Sequence, residues 1–299
     1  MRFVTFHGPH DQLRPGFLSA DGREVIDARH TDAPAWAQAL PGQLIDWIEL
    51  DLSALATRLA HSAADGAYPA STRRPVEQVR LAAPLPRPGK VVGAAFNFHD
   101  ALRERGMAPP AEPVLFVKSG RTVIGPGEPV QLAADVGNVT YEAELGAVIG
   151  RPALRVGIDQ AMAHVAGYVI VNDVSATDMV KADKGFVRGK NQPTFCPMGP
   201  WLVTPDEIAD PHAQPIRLDV DGVRLQDGNT SDLVFNIPAL IAHASQQMPL
   251  DPGDVIATGT PAGVAGAHQP PAWLRAGAVM RIELPGLGVL TTPVTEDHP

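Results

Sequence analysis

The sequence predicts an α+β protein that is mostly β, with a small N-terminal domain over residues 1–85 and a larger domain over residues 86–299. Three observations carry that expectation. From Val114 onward, short segments rich in β-branched residues recur between Gly and Pro, as half-buried strands joined by turns do. Sustained helical spacing is confined to a few places. Finally, Pro75, Pro84, Pro86 and Pro88 crowd the stretch before Lys90-Val91-Val92-Gly93, and a proline-punctuated connection is where a domain boundary is expected.

In chain order, Arg2 to Phe6 and Arg23 to Asp27 read as strands, and Gln43 to Leu50 and Ser53 to Ala64 as helices. Strands are then expected at Val114 to Lys118, Val139 to Ile149, Ala166 to Asp173, Trp201 to Thr204, Ile216 to Val220, Val255 to Thr258 and Val279 to Leu284. Helices of the second domain are expected at Ala161 to Ala166 and Asn236 to Gln247, the latter with Ile237, Leu240, Ile241 and Ala244 at helical spacing. The 30 prolines and 28 glycines fit a turn-rich chain, and no repeat period or low-complexity tract interrupts it.

With 299 residues, 44% of them hydrophobic and 19% charged, the chain is long enough for a sizeable core. Its net charge of -9 argues against nucleic acid or an anionic membrane as partner, since both demand a basic face. A small-molecule substrate fits better. The apolar stretches fall far short of a membrane span, and Met1-Arg-Phe-Val opens a strand pattern instead of a signal peptide, so a cytoplasmic protein is expected. The single Cys196 excludes an internal disulfide and a thiolate metal cluster, and reads as a small buried hydrophobe.

Chemistry enters at Val139-Thr-Tyr-Glu142-Ala-Glu144-Leu-Gly-Ala-Val-Ile149. Two carboxylates two residues apart on a strand leave the same face and repel unless a cation or protons lie between them. Hard oxygen ligands suit Mg2+, Mn2+ or Ca2+ and not Zn2+. By spacing alone, a merely solvated strand face reads as well. Asp173 shifts the balance, because the apolar run Tyr168-Val-Ile-Val-Asn172-Asp173 delivers a third carboxylate to a turn. Asp178 and Asp183 lie near enough in sequence to be ligands instead, although Asp in a loop commonly serves a turn or cap.

Several segments together resemble the fumarylacetoacetate hydrolase superfamily. They are Tyr141-Glu-Ala-Glu-Leu-Gly-Ala-Val-Ile-Gly, Asn172-Asp-Val-Ser-Ala, Arg188-Gly-Lys190, Pro197-Met-Gly-Pro, Gln226-Asp-Gly-Asn-Thr-Ser and Leu250-Asp-Pro-Gly-Asp-Val-Ile-Ala-Thr-Gly-Thr-Pro-Ala-Gly-Val. Their order and spacing match from about residue 90 to the end. The resemblance implies a mixed β-sandwich-roll catalytic domain, usually a homodimer, that uses Mg2+ or Mn2+ on 2-oxo acids, 1,3-diketo acids or their enols, as in aromatic catabolism. It implies Glu142, Glu144 and Asp173 as metal ligands, Lys190 as the active-site lysine, and His99 in Gly93-Ala-Ala-Phe-Asn-Phe-His99 as a catalytic histidine. It also places Thr194, Thr260, Gln226 and Arg188 at substrate-binding positions. A lysine beside a cation stabilises a developing enolate or oxyanion, and a neutral imidazole takes a proton from water.

The match departs at positions that bear on chemistry. Leu102 stands where family hydrolases carry a Glu that orients the histidine, and Glu104 is one residue able to substitute. Thr177 replaces an arginine suited to clamping a carboxylate, leaving Lys181, Lys184 or Arg188 to supply that charge. Pro193 and Ala95 replace a further Asp and Asn. The leading expectation is hydrolytic carbon-carbon cleavage of an acylpyruvate, with the cation holding the 2-oxo acid end and His99 activating water. Loss of the Glu partner moves weight toward enolate chemistry alone: isomerisation or tautomerisation, decarboxylation, or dehydration. A metal-stabilised binding protein is the non-enzymatic alternative.

Overall fold

The computed structural model describes residues 1–297. Among these, a 12-stranded sheet, a 5-stranded sheet and a two-stranded ribbon carry the architecture. The large sheet runs in space from Arg73–Pro75 through Glu24–Asp27, Leu13–Leu18 and Arg2–His7 to Cys196–Val203. It continues through Val165–Asn172, Ala143–Ile149, Val255–Ala257 and Lys90–Ala95 to Val114–Ser119. Strands from both sides of residue 85 therefore share one sheet, joined where Arg2 and Phe3 pair with Val203 and Leu202.

Alternation decides which side chains each face receives. On one face of the central strands, Val148, Val169, Val171, Leu202 and Val255 pack with Phe3, Phe17 and the N-terminal helices, which bury Leu44, Trp47, Leu55 and Leu59. Leu145, Ala147, Ile149 and Ile170 leave by the other face. They pack with Ile216, Leu218, Met280, Ile282 and Leu290 of the small sheet and with the helix Ile237–Gln247. Both long helices begin on a side-chain cap: Asp51 accepts from Ala54 N and Asn236 from Ala239 N, each satisfying a backbone donor that the helix leaves free.

Most expected elements form within a residue or two of their expected ends. The strand expected at Trp201 to Thr204 starts five residues earlier, as Cys196–Val203, and two further elements differ with a physical reason. The segment Ala161–His164 is a single 3-10 turn, and the chain is already extended at Val165 because residues 165–172 pair along Ala143–Ile149. The acidic strand is not continuous from 139 to 149. Val139–Thr140 pairs with Ser175–Ala176, the chain breaks at Tyr141 and Glu142, and pairing with the main sheet starts at Ala143. No described helix is long and apolar enough to cross a membrane. Cys196 is buried in the core, its thiol pushed up to about 12 by that burial.

Candidate active site

Strand parity and antiparallel register bring three carboxylates together. Ala143 pairs with Asn172 and Glu144 with Val171, and Asp173 N donates to Glu142 O at 2.9 Å. Glu142 and Glu144 share a face by their two-residue spacing, and Asp173 shares it with Val171 across the pair. One oxygen from each of the three lies within 4.8 Å of the other two. The Asn172 side chain fixes the break between strands, its Oδ1 accepting from Glu142 N at 3.0 Å.

Two buried lysines face this set. Lys190, the last residue of the short helix Val187–Lys190, donates to Glu142 Oε2 at 2.8 Å and to Asp173 Oδ2 at 2.5 Å. Lys118, 0% exposed, donates to Val174 O at 3.0 Å and stands 2.7 Å from Asp173 Oδ1 as an ion pair. Two ammonium groups against three carboxylates leave one negative charge unmatched.

The electrostatics follow from burial and this imbalance. Burial pushes the Glu144 carboxyl well above its ordinary range, and the charges of Asp173 and Glu142 push it further. Glu142 is also raised, by burial first, with Lys190 partly opposing. Burial acts the same way on Asp173, but Lys118 and Lys190 outweigh it and hold that carboxyl below the usual range. Lys190 is resisted by burial, yet Asp173 and Glu142 raise it above the ordinary lysine range, so it is a firm cation. A buried set of three carboxylates, outnumbering the two ammonium groups against it, fits a hard divalent cation held by Glu142, Glu144 and Asp173.

The set opens on a cavity of about 570 Å³. Glu142, Glu144 and Lys190 line it, as does Thr260. Phe116, Phe186, Val264 and Trp273 give apolar walls, and the Lys190 ammonium stands 4.8 Å from the centre of the Phe116 ring. Thr177, Lys181, Glu104 and Arg105 complete the lining. Gly259 makes the turn that aims its N–H at Glu144 Oε2, 2.8 Å away. Its φ of 96° lies in the left-handed region that favours glycine.

Of the residues singled out in the sequence, Glu142, Glu144, Lys190 and Thr260 line the cavity, and Asp173 is their buried partner. Gln226 is a strut behind the wall. Its Oε1 accepts from Ala143 N, while its Nε2 donates to Thr260 Oγ1 at 2.8 Å and to Pro261 O, tying the acidic strand to the 258–263 turn. Thr194 lies outside the lining, where its hydroxyl accepts from Gln131 N and donates to Pro193 O. Arg188 is turned outward to a surface pair with Asp183 at 2.6 Å, so neither is placed to touch a molecule in the cavity. Asp178 accepts from Asn138 N, and with Asp183 engaged by Arg188 both fall outside the carboxylate set.

His99 begins the helix His99–Glu104 but does not line the cavity, whereas Ala101, Glu104 and Arg105 do. Leu102 is 2% exposed and belongs to the core. Of the three cations weighed as replacements for the missing arginine, only Lys181 reaches the wall, and Arg105 joins it. No sequence motif marks Lys118, because a lysine closing an apolar strand reads as a surface residue. Its parity with buried Phe116 two residues earlier is the signal that places it inward.

Residues 90–295 match the family described as fumarylacetoacetate (FAA) hydrolase C-terminal. The chain is 39% identical over 297 residues to the mitochondrial oxaloacetate tautomerase of Xenopus laevis, covering 98% of this chain and 90% of that protein. It is 37% identical over 298 residues to the 2,4-didehydro-3-deoxy-L-rhamnonate hydrolase of Sphingomonas sp. strain SKA58, covering 99% and 96%. Among solved structures, a fumarylacetoacetate hydrolase from Exiguobacterium antarcticum superposes with a TM-score of 0.84 at 31% identity, over 99% of this chain and 100% of that one.

Proposed function

The chain belongs to the fumarylacetoacetate hydrolase family, and on that premise we propose that it is a divalent-metal-dependent tautomerase of a small 2-oxo acid bearing a second carboxylate. One observation carries the reading. The cavity wall carries Lys190, Glu142 and Glu144 together with two further cations, Arg105 and Lys181, while His99 is not part of it. This arrangement suits moving a proton at the carbon beside a ketone more than activating water. Its similarity to an oxaloacetate tautomerase over nearly the whole chain supports the same reading.

A divalent cation on Glu142, Glu144 and Asp173 supplies Lewis acidity and fixed positive charge, with Mg2+ or Mn2+ suited to those oxygens. The chain's own residues do the rest. Lys190, held protonated by two carboxylates, serves as a hydrogen-bond donor to the oxygen where negative charge develops, and not as a base. Thr260, kept in place by Gln226, offers a hydroxyl to the same end of the substrate. Phe116, Phe186 and Trp273 limit the water that reaches the reacting carbon. Arg105 and Lys181 hold the distal carboxylate in place of the arginine that Thr177 displaces.

A second reading, hydrolytic cleavage of an acylpyruvate-type 1,3-diketo acid, is favoured by the similarity to a hydrolase over 99% of this chain. One assay separates the two. Purified protein with Mg2+ or Mn2+ is offered enolised oxaloacetate and a panel of acylpyruvates, following the enol absorbance, C3 deuterium exchange and released acids. The expected result is accelerated enol loss with exchange and no stoichiometric acid release, reduced by EDTA. His99→Ala is expected to leave this rate within about threefold, since uninvolved positions escape the roughly 10²–10⁴-fold loss of a general base. Pyruvate plus a carboxylic acid in equal amounts from an acylpyruvate, with no exchange, would overturn the tautomerase reading in favour of hydrolysis.

A further inference from the structure

We propose that Glu104 is the base that takes the C3 proton of the 2-oxo acid, an assignment that rests on the tautomerase reading above. The cavity wall holds three carboxylates: Glu104, Glu142 and Glu144. Glu142 is engaged by Lys190 at 2.8 Å, and Glu144 by Gly259 N at 2.8 Å, and both belong to the cation set with Asp173. Glu104 differs on each count. Among the described residues it forms no ion pair, and its two oxygens share a single N–H, that of Gly263, at 3.2 and 3.3 Å.

One shared, long hydrogen bond leaves most of the carboxylate's lone pairs free. It also fixes where the group sits. Gly263 belongs to the turn that carries Thr260 into the wall, so Glu104 is tied to the segment whose Gly259 N–H holds Glu144. The neighbouring Arg105 also lines the cavity. The helix end therefore presents a base and a carboxylate-binding cation side by side.

The step balances without another reactant. The C3–H bond breaks and its proton passes to a Glu104 oxygen, while the C–H electron pair forms the C2–C3 double bond. The carbonyl π pair moves onto the C2 oxygen, where Lys190 donates a hydrogen bond. Protonation of that oxygen by solvent gives the enol, Glu104 returns its proton to solvent, and the reverse sequence gives the ketone.

Glu104→Gln isolates the base from the tether, because the amide oxygen still accepts from Gly263 N but no longer takes a proton at neutral pH. With the full chain and Mn2+, we expect C3 exchange and enol conversion to fall by about 10²-fold or more, while Mn2+ and oxalate affinities stay within about threefold of the parent. Formate added to Glu104→Ala should restore part of the exchange rate, which a lost tether would not permit. Exchange by Glu104→Gln within about threefold of the parent would overturn the assignment. So would activity that falls in step with oxalate affinity, or an absence of formate rescue. Failure of the parent protein itself to exchange is a different result: it removes the tautomerase reading and this assignment with it.

Discussion

Glu144→Ala should abolish the stabilisation that Mg2+ confers and take metal-dependent turnover below detection, without lowering the melting temperature of the metal-free protein. The reason lies in the like-charge set. Glu144 is buried beside Asp173 and Glu142 and is held well above its ordinary range, so ionising it costs the metal-free fold. Removing it relieves that repulsion at the expense of one hydrogen bond from Gly259 N. A ligand of the cation is lost at the same time, a larger effect than the roughly 10–100-fold change typical of residues that only orient a ligand. At Mg2+ about 100 times its dissociation constant, the parent should gain about 2.7 kcal/mol by mass action and the variant none. Thermal melts with and without Mg2+ read both outcomes.

The same set gives a pH dependence of known sign. A carboxyl whose folded-state pKa lies above its unfolded value adds stability below the ordinary carboxylate range and loses it as pH rises through the folded value. Glu144 and Glu142 behave this way. Asp173, lowered by Lys118 and Lys190, does the opposite, and its contribution is lost as pH falls. Cation binding then displaces protons from the two glutamates, and the Mg2+-induced rise in melting temperature should grow with pH above the ordinary carboxylate range.

Lys118→Met should destabilise the metal-free protein by about 3–5 kcal/mol, the usual cost of removing one partner of a buried pair. Methionine fills much of the volume but leaves Asp173 Oδ1 without its cation at 2.7 Å and Val174 O without its donor. Saturating Mg2+ should recover part of the loss, because the ion replaces the missing positive charge. Urea unfolding at two Mg2+ concentrations measures this. Equal losses with and without Mg2+ would mean that Lys118 serves packing alone.

What the sequence made legible followed from periodicity. Alternation along residues 143–149 and 165–172 set both faces of the central strands and placed Glu144 at the strand end, where Glu142 and Asp173, just beyond the paired residues, join it. The helix over 237–247 was readable from Ile237, Leu240, Ile241 and Ala244. Positions that depend on distant chain segments were not. Thr194 and Arg188 sit in matched motifs, but local partners, Gln131 with Pro193 and Asp183, hold them away from the cavity. The continuity of the N-terminal strands with the large sheet rests on two residue pairs across some 200 positions of chain, which no local pattern announces. Glu104 and Arg105 enter the wall because Leu102 turns into the core and sets the rotation of a six-residue helix.

Anomalous diffraction from crystals grown with Mn2+ and oxalate would test the central claim most directly. The account predicts one strong peak bounded by Glu142, Glu144 and Asp173, with oxalate between that peak and Arg105. A Mn2+ peak elsewhere, with Glu142 and Asp173 still paired with Lys190 and Lys118 and Glu144 held by Gly259 N, would contradict it.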